Sequence, residues 1–149
     1  MALSQIDGVL LSPLRTIPTA GGPVRHAMKA SDAGFHGFGE AYFTSIEHRA
    51  VKAWKRHHRM WSSLIVPVGA VRLQLVDDRV DSPTRGSAMD LILGPENYQR
   101  LSMPPGLWFG FQGVSAGLNL MLNLASIEHD PGEAETLPLD APAFAHVGW

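Results

Sequence analysis

Apolar residues in this chain alternate with polar ones in short runs and nowhere hold a helical spacing, which constrains the fold more than any single motif. Ala70-Val71-Arg72-Leu73-Gln74-Leu75-Val76 and Tyr98-Gln99-Arg100-Leu101-Ser102-Met103 have the period of a strand with one wet face. Ala41–Ile46, Leu64–Gly69, Ala88–Leu93 and the aromatic Leu107–Phe111 have strand composition. Gly8–Leu11, Val24–Lys29, Val51–His58 and Gly117–Ala125 read as further extended segments. Turn residues separate them: Thr19-Ala20-Gly21-Gly22-Pro23, Ser31–Gly34, the polar Asp77–Gly86, Gly94–Asn97 and Pro104-Pro105-Gly106. About eight short strands at this rhythm predict an all-β antiparallel jelly roll or barrel. No repeat or linker interrupts the 149 residues, so residues 1–149 read as one domain. The Pro-rich, acidic tail from Glu128 is expected to wrap the surface.

Composition narrows the partners. The net charge of −2 argues against a nucleic-acid binder that works by broad phosphate neutralisation. There is no cysteine, which removes disulfides and thiolate chemistry. The opening Met1–Gly8 lacks the basic and apolar segments of a secretory signal, and no apolar run reaches membrane-spanning length. The expectation is a cytoplasmic protein with neither nucleic acid nor membrane as partner.

The stretch with the most chemistry is Val51-Lys52-Ala53-Trp54-Lys55-Arg56-His57-His58. Regular alternation places Val51, Ala53, Lys55 and His57 on one face and Lys52, Trp54, Arg56 and His58 on the other. If the first face points into a barrel, an amine and an imidazole share a cavity, and a buried amine needs a partner or a task. The alternative is an edge strand with its basic groups in water. Asn119 and Asn123, four apart on an apolar strand, are expected to face the same way and to bond each other, backbone or a ligand. Trp54 and Trp108 can stack on a base or sugar, or simply fill a core. Asp78 and Arg79 are expected to brace their own turn, and His129-Asp130-Pro131 to form another.

Several segments in order carry a family resemblance. They are Gly37-Phe38-Gly39-Glu40-Ala41-Tyr42-Phe43, Val51-Lys52-Ala53-Trp54, and Val76-Asp77-Asp78-Arg79 with Ser82-Pro83-Thr84-Arg85-Gly86. Met103-Pro104-Pro105-Gly106-Leu107-Trp108 with Gly110-Phe111, and His129-Asp130-Pro131, complete them. From about Val24 to Asp140 the chain resembles the dTDP-4-dehydrorhamnose 3,5-epimerases, a cupin family. The resemblance implies a homodimeric jelly roll holding a nucleotide-diphospho-4-keto-6-deoxysugar in its interior. It also implies a His base oriented by an Asp, a Tyr acid on the opposite face, and a basic residue near the diphosphate.

Residue by residue, the phosphate-side group falls on Lys52, and Glu40 matches a nucleotide-binding Glu. The base position falls on Lys55, the Tyr position near Asn123, and the orienting Asp on Asp140. Related sugar-nucleotide 3,4-ketoisomerases carry His-x-His where this chain keeps only His57. The metal-binding cupins place a His where this chain has Phe109, so the resemblance implies neither metal nor other cofactor. The expected catalytic residues are therefore Lys55, His57 and Tyr42. Those expected to bind substrate are Glu40, Lys52, Trp108, Asn119 and Asn123. The function expected is proton abstraction beside the ketone of a nucleotide-linked sugar with a non-standard acid–base set. The alternative is a repurposed cupin that runs another reaction or only binds a small molecule.

Overall fold

The computed structural model describes residues 6–149, so Met1–Gln5, part of the stretch read for a leader, lie outside it. The strands are β1 (Leu10–Pro13), β2 (Thr16–Ile17), β3 (Val24–Arg25), β4 (Glu40–Ser45), β5 (Val51–His57) and β6 (Ser62–Val68). They continue with β7 (Val71–Asp77), β8 (Ala88–Leu93), β9 (Gln99–Met103), β10 (Leu107–Gly113), β11 (Leu120–Ala125) and β12 (Ala134–Thr136). Two five-stranded sheets, ordered β1-β9-β6-β11-β4 and β12-β5-β10-β7-β8, enclose the core, and β2 pairs with β3 separately. Neighbouring strands are antiparallel, and the architecture is the jelly roll of the cupins. Among the described residues no helix is long and apolar enough to cross a membrane.

Alternation decides which side chains meet between the sheets. Leu64 and Val66 of β6, Leu101 of β9 and Met121 of β11 pack against Leu73 and Leu75 of β7 and Leu107 and Phe109 of β10. The intervening Arg72 and Gln74 face outward, where Arg72 forks onto Asp90 of β8 at 2.6 and 2.9 Å.

Three expectations need correction. The strand read over Val24–Lys29 is only Val24–Arg25, because the chain beyond it is captured by a buried arginine on β9. Arg100 donates to the Ala27 and Ala33 carbonyls at 2.7 and 3.0 Å and pairs with Asp32 at 3.2 Å. The strand read over Gly117–Ala125 begins at Leu120, which leaves Asn119 in the preceding loop. The tail does wrap the surface, but it also adds β12 to the edge of β5.

The polar turn after β7 is organised by Asp77 rather than by Asp78. The Asp77 carboxylate accepts from the Arg79 guanidinium at 2.9 and 3.0 Å, from Ser82 Oγ at 2.5 Å and from Thr84 Oγ1 at 2.7 Å. Burial alone would raise this carboxyl, yet these donors more than offset it and hold it far below the usual carboxylate range. The depressed value means that stability is present above the unfolded carboxyl value and is lost as pH falls through the folded one. Asp77→Asn, which leaves the guanidinium half-matched in a buried site, is expected to destabilise the fold by about 3 kcal/mol. Urea unfolding at neutral pH checks this, and a change below about 0.5 kcal/mol contradicts the role.

Candidate active site

A cavity of about 300 Å³ opens between the sheets at β5, and Lys52, Lys55 and His57 all line it. Lys52 was expected on the opposite face, and the strand register explains the difference. Phe109 of β10 opposes Lys55, whereas Gly110 opposes Ala53, so β5 carries one extra residue, Trp54. Such a bulge shifts the facing of everything before it by one position. Ala53 and Trp54 turn outward into a cluster with Val76, Trp108 and Phe144. Trp54 stacks on Phe144 with ring centroids 4.4 Å apart, and its backbone exchanges hydrogen bonds of 2.9 and 3.0 Å with Leu137. Gly110 leaves the room this needs, since a Cβ there would lie 2.5 Å from that of Ala53. Lys52 and Lys55, three apart, thereby reach the same cavity. Lys52 Nζ donates to the Ser45 carbonyl at 3.1 Å and stays exposed.

His57 is 5% exposed and lies near-parallel to Phe109, ring centroids 6.0 Å apart. Its Nδ1 makes a short hydrogen bond to Glu133 Oε1, which leaves Nε2 as the ring nitrogen toward the cavity. Glu133 is 4% exposed, and its other oxygen accepts the backbone N–H groups of His58, Arg59 and Met60 at 3.0 to 3.2 Å. Burial by itself would raise the Glu133 carboxyl. The His57 bond and the Arg59 and Met60 N–H groups outweigh it and hold the group below its ordinary value as an anion. Burial pushes the His57 imidazole down, opposed by Glu133 and assisted by the nearby charges of Lys55 and His129. The result is a neutral imidazole whose Nδ1–H is held by a carboxylate, the arrangement that makes Nε2 a proton acceptor.

The position assigned to an orienting Asp is thus filled by Glu133, and Asp140 lies on an exposed turn. Glu133 ends a short 3-10 turn, Pro131–Glu133, capped by Asp130, whose Oδ1 accepts from Gly132 N at 3.0 Å. The sequence Asp130-Pro131-Gly132-Glu133 is legible as a helical first turn. Nothing local connects it to a histidine 76 residues earlier.

From the opposite sheet, Tyr42 of β4 and Asn123 of β11 line the same cavity and sit directly across from each other in the strand register. Asn123 Nδ2 donates to the Tyr42 hydroxyl at 2.8 Å, leaving the phenolic hydrogen free to point elsewhere. Apolar walls come from Leu64, Phe109, Phe111 and Met121.

The other expected site residues are elsewhere. Asn119 does not face the way Asn123 does. It is 1% exposed, and its amide accepts from Ala70 N and Ser115 N and donates to the Ile46 and Ser115 carbonyls. It therefore fastens loops and does not line this cavity. Trp108 points out of the barrel, where Arg56 lies 4.7 Å over its ring. Its neighbour Phe109 takes the inward position. Glu40 begins β4 opposite Ala125 and does not line the cavity. Among the described residues no group of three or more His, Asp or Glu side chains is arranged to hold a metal ion.

No family model matches the chain. A solved dTDP sugar isomerase from Desulfovibrio desulfuricans G20 is 43% identical over 95% of this chain and 91% of its own, with a TM-score of 0.91. The dTDP-6-deoxy-D-glucose-3,5-epimerase RmlC of Legionella pneumophila, solved with dTDP-4-keto-L-rhamnose, superposes over 95% of this chain and 79% of its own. At 20% identity and a TM-score of 0.83, it shows the shared fold. The probable low-salt glycan biosynthesis epimerase Agl13 of Haloferax volcanii is 27% identical over 103 residues, 67% of this chain and 66% of that protein. The match therefore spans just under two thirds of that relative's length. With the jelly roll and cavity in place, the chain belongs to the cupin family of dTDP-4-dehydrorhamnose 3,5-epimerases and related dTDP-sugar isomerases.

Proposed function

We propose that this protein epimerises or isomerises a dTDP-linked 4-keto-6-deoxysugar by removing a proton from a carbon beside the ketone. The observation that carries the reading is the buried His57–Glu133 pair, with Nε2 facing a cavity that also holds Lys55 and Tyr42. A ketone acidifies its neighbouring C–H bonds, and removal needs a base at the hydrogen and positive charge or donors at the oxygen. His57 serves as the base, and Glu133 holds its tautomer and shares the charge it acquires. Lys55 sits on the carbonyl side and answers the charge developing there. Tyr42 approaches from the other sheet and returns the proton, assisted by Asn123. Lys52, at the exposed end of the same face, meets the diphosphate.

The base and acid come from other positions than the family's, with Lys55 where its His falls and Asn123 near its Tyr, so proton exchange is expected at one ring carbon rather than two. The test is solvent deuterium exchange into dTDP-4-keto-6-deoxyglucose, following C3 and C5 separately by NMR. Exchange at a single carbon, lost in His57→Ala, supports the reading. Exchange at both carbons that survives His57→Ala, or none in the unaltered protein, overturns it.

We also infer a homodimer formed through β4. This strand ends its sheet, and with Tyr42 and Thr44 facing inward, Phe43 faces out at 64% exposure beside its cross-strand partner Leu122. Val68, also exposed, lies opposite Leu120 of the same outer face. An unpaired edge beside an apolar face is a pairing surface for a second copy. Light scattering is expected to give a dimer for the unaltered protein and a monomer for Phe43→Glu. An unaltered protein that is monomeric at micromolar concentration contradicts the inference.

A further inference from the structure

We propose that Lys55 answers the carbonyl covalently, condensing with the ketone carbon to an iminium, so that the proton taken by His57 leaves a neutral enamine instead of an enolate. This rests on the function proposed above and specifies its chemistry.

The partners of the basic cluster single out one residue. Between residues 52 and 59 the basic side chains are anchored one after another. Lys52 bonds the Ser45 carbonyl, Arg56 and His58 pair with Glu135, His57 with Glu133, and Arg59 with Asp130. Lys55 is the exception, since among the described residues no hydrogen bond or ion pair engages its amine. It is half-buried in a cavity lined by no Asp or Glu side chain and walled by Leu64, Phe109 and Phe111. Glu133 cannot turn to it, because both its oxygens are committed to His57 and to backbone N–H groups. A permanently charged ammonium finds no carboxylate in such a site, whereas an amine that forms a covalent bond needs none.

Placement relative to the base is also suitable. Lys55 and His57 are two apart on β5 and face the same way, which separates their Cβ atoms by about 7 Å. A lysine stem extended to the ketone carbon then sets the adjacent C–H, one bond further on, within reach of the shorter histidine side chain.

The sequence of steps conserves atoms and charge. The Lys55 ammonium gives one proton to His57 Nε2, and the freed amine adds to the ketone carbon. As the carbinolamine forms, the nitrogen passes one of its two hydrogens to the former carbonyl oxygen. His57 returns its proton to the same oxygen, which leaves as water, and the nitrogen, keeping one hydrogen, carries the positive charge as iminium. His57, neutral again, takes the proton from the neighbouring carbon, and the electron pair of that C–H bond moves into the enamine. Positive charge thus passes from Lys55, which has no counter-ion, to His57, which has Glu133. The species left among the apolar walls is uncharged. Reprotonation of carbon restores the iminium, and water releases the sugar ketone and the ammonium.

The test uses the whole protein with dTDP-4-keto-6-deoxyglucose and sodium cyanoborohydride, which reduces iminium ions in preference to ketones. The chain has three lysines, Lys29, Lys52 and Lys55, so the modified position is unambiguous by peptide mass mapping. The expected result is one sugar-nucleotide per chain, on Lys55 alone, with loss of activity tracking the adduct. Lys55→Arg keeps the charge but cannot condense, and is expected to lose deuterium exchange by about 100-fold. Exchange in the unaltered protein without an adduct, adduct spread equally over the three lysines, or a Lys55→Arg variant within about tenfold of the original overturns the iminium. Those outcomes leave proton abstraction by His57 standing. Absence of exchange in the unaltered protein overturns both.

Discussion

Glu133→Gln is expected to lower kcat/KM by about 10³- to 10⁴-fold while leaving the fold intact. The glutamine carbonyl can still accept the N–H groups of Arg59 and Met60 that now bond the carboxylate. Its amide then faces His57 Nδ1 as a donor. That forces the imidazole into the tautomer carrying hydrogen on Nε2, the nitrogen turned to the cavity, and a protonated Nε2 removes nothing. The pH dependence separates this from simple loosening of the site. In the unaltered protein burial depresses His57, so the acid limb of kcat/KM is expected below the ordinary imidazole value of about 6.5. Activity is present above that limb and lost as pH falls through it, because the base must be neutral. Glu133 is the contact that raises His57 against burial, so the residual activity of Glu133→Gln is expected to show its limb at still lower pH. A variant within about tenfold of the original rate, or a limb moved upward, contradicts the assignment.

Tyr42→Phe is expected to separate two events that are normally coupled. In the proposed reaction the proton is removed by His57 from the β5 side of the cavity and returned by Tyr42 from β4 in the facing sheet. Deuterium washout at the abstracted carbon should therefore continue, while formation of the new stereoisomer falls by about 10²- to 10³-fold. The phenol suits this work because Asn123 donates to its oxygen, so its own hydrogen is available to a substrate carbon. Removing the hydroxyl leaves the buried Asn123 amide without that acceptor, which costs about 1–2 kcal/mol of stability. A thermal melt therefore accompanies the kinetics. Equal loss of washout and product would assign Tyr42 to binding, and loss of neither would remove it from the reaction.

How far the chain discloses itself depends on the range of the interactions. The limits of β8, the end of β9 and the start of β10 follow from alternation and from Gly94-Pro95 and Pro104-Pro105-Gly106, all of which act within a few residues. Val24–Lys29 has a similar local pattern, but Arg100, 73 residues further on, captures the Ala27 carbonyl, and long-range capture overrides a weak local preference. Asn119 and Asn123 are equivalent in sequence, since spacing alone puts both on one face. The strand starts between them, and only Asn123 faces inward.

The site divides the same way. By itself, the sequence determined that the chain makes an antiparallel jelly roll of this family, and it singled out Lys55, His57 and Tyr42 as candidates for its chemistry. Residue type, alternation, turn residues and the family's motifs are sufficient for that. The family's motif assigns Lys52 to the phosphate side and alternation assigns it to the opposite face, and tertiary structure alone decided that it shares their cavity. A bulge exists only relative to the strand beside it, and Trp54 is pushed out of register by β10 on one side and drawn outward by Phe144 on the other. It alone decided that Glu133 rather than Asp140 pairs with His57, because that contact closes a loop of 76 residues. Local pattern reports which way a side chain leans from its own backbone. What it meets there is set by a segment whose distance along the chain leaves no local trace.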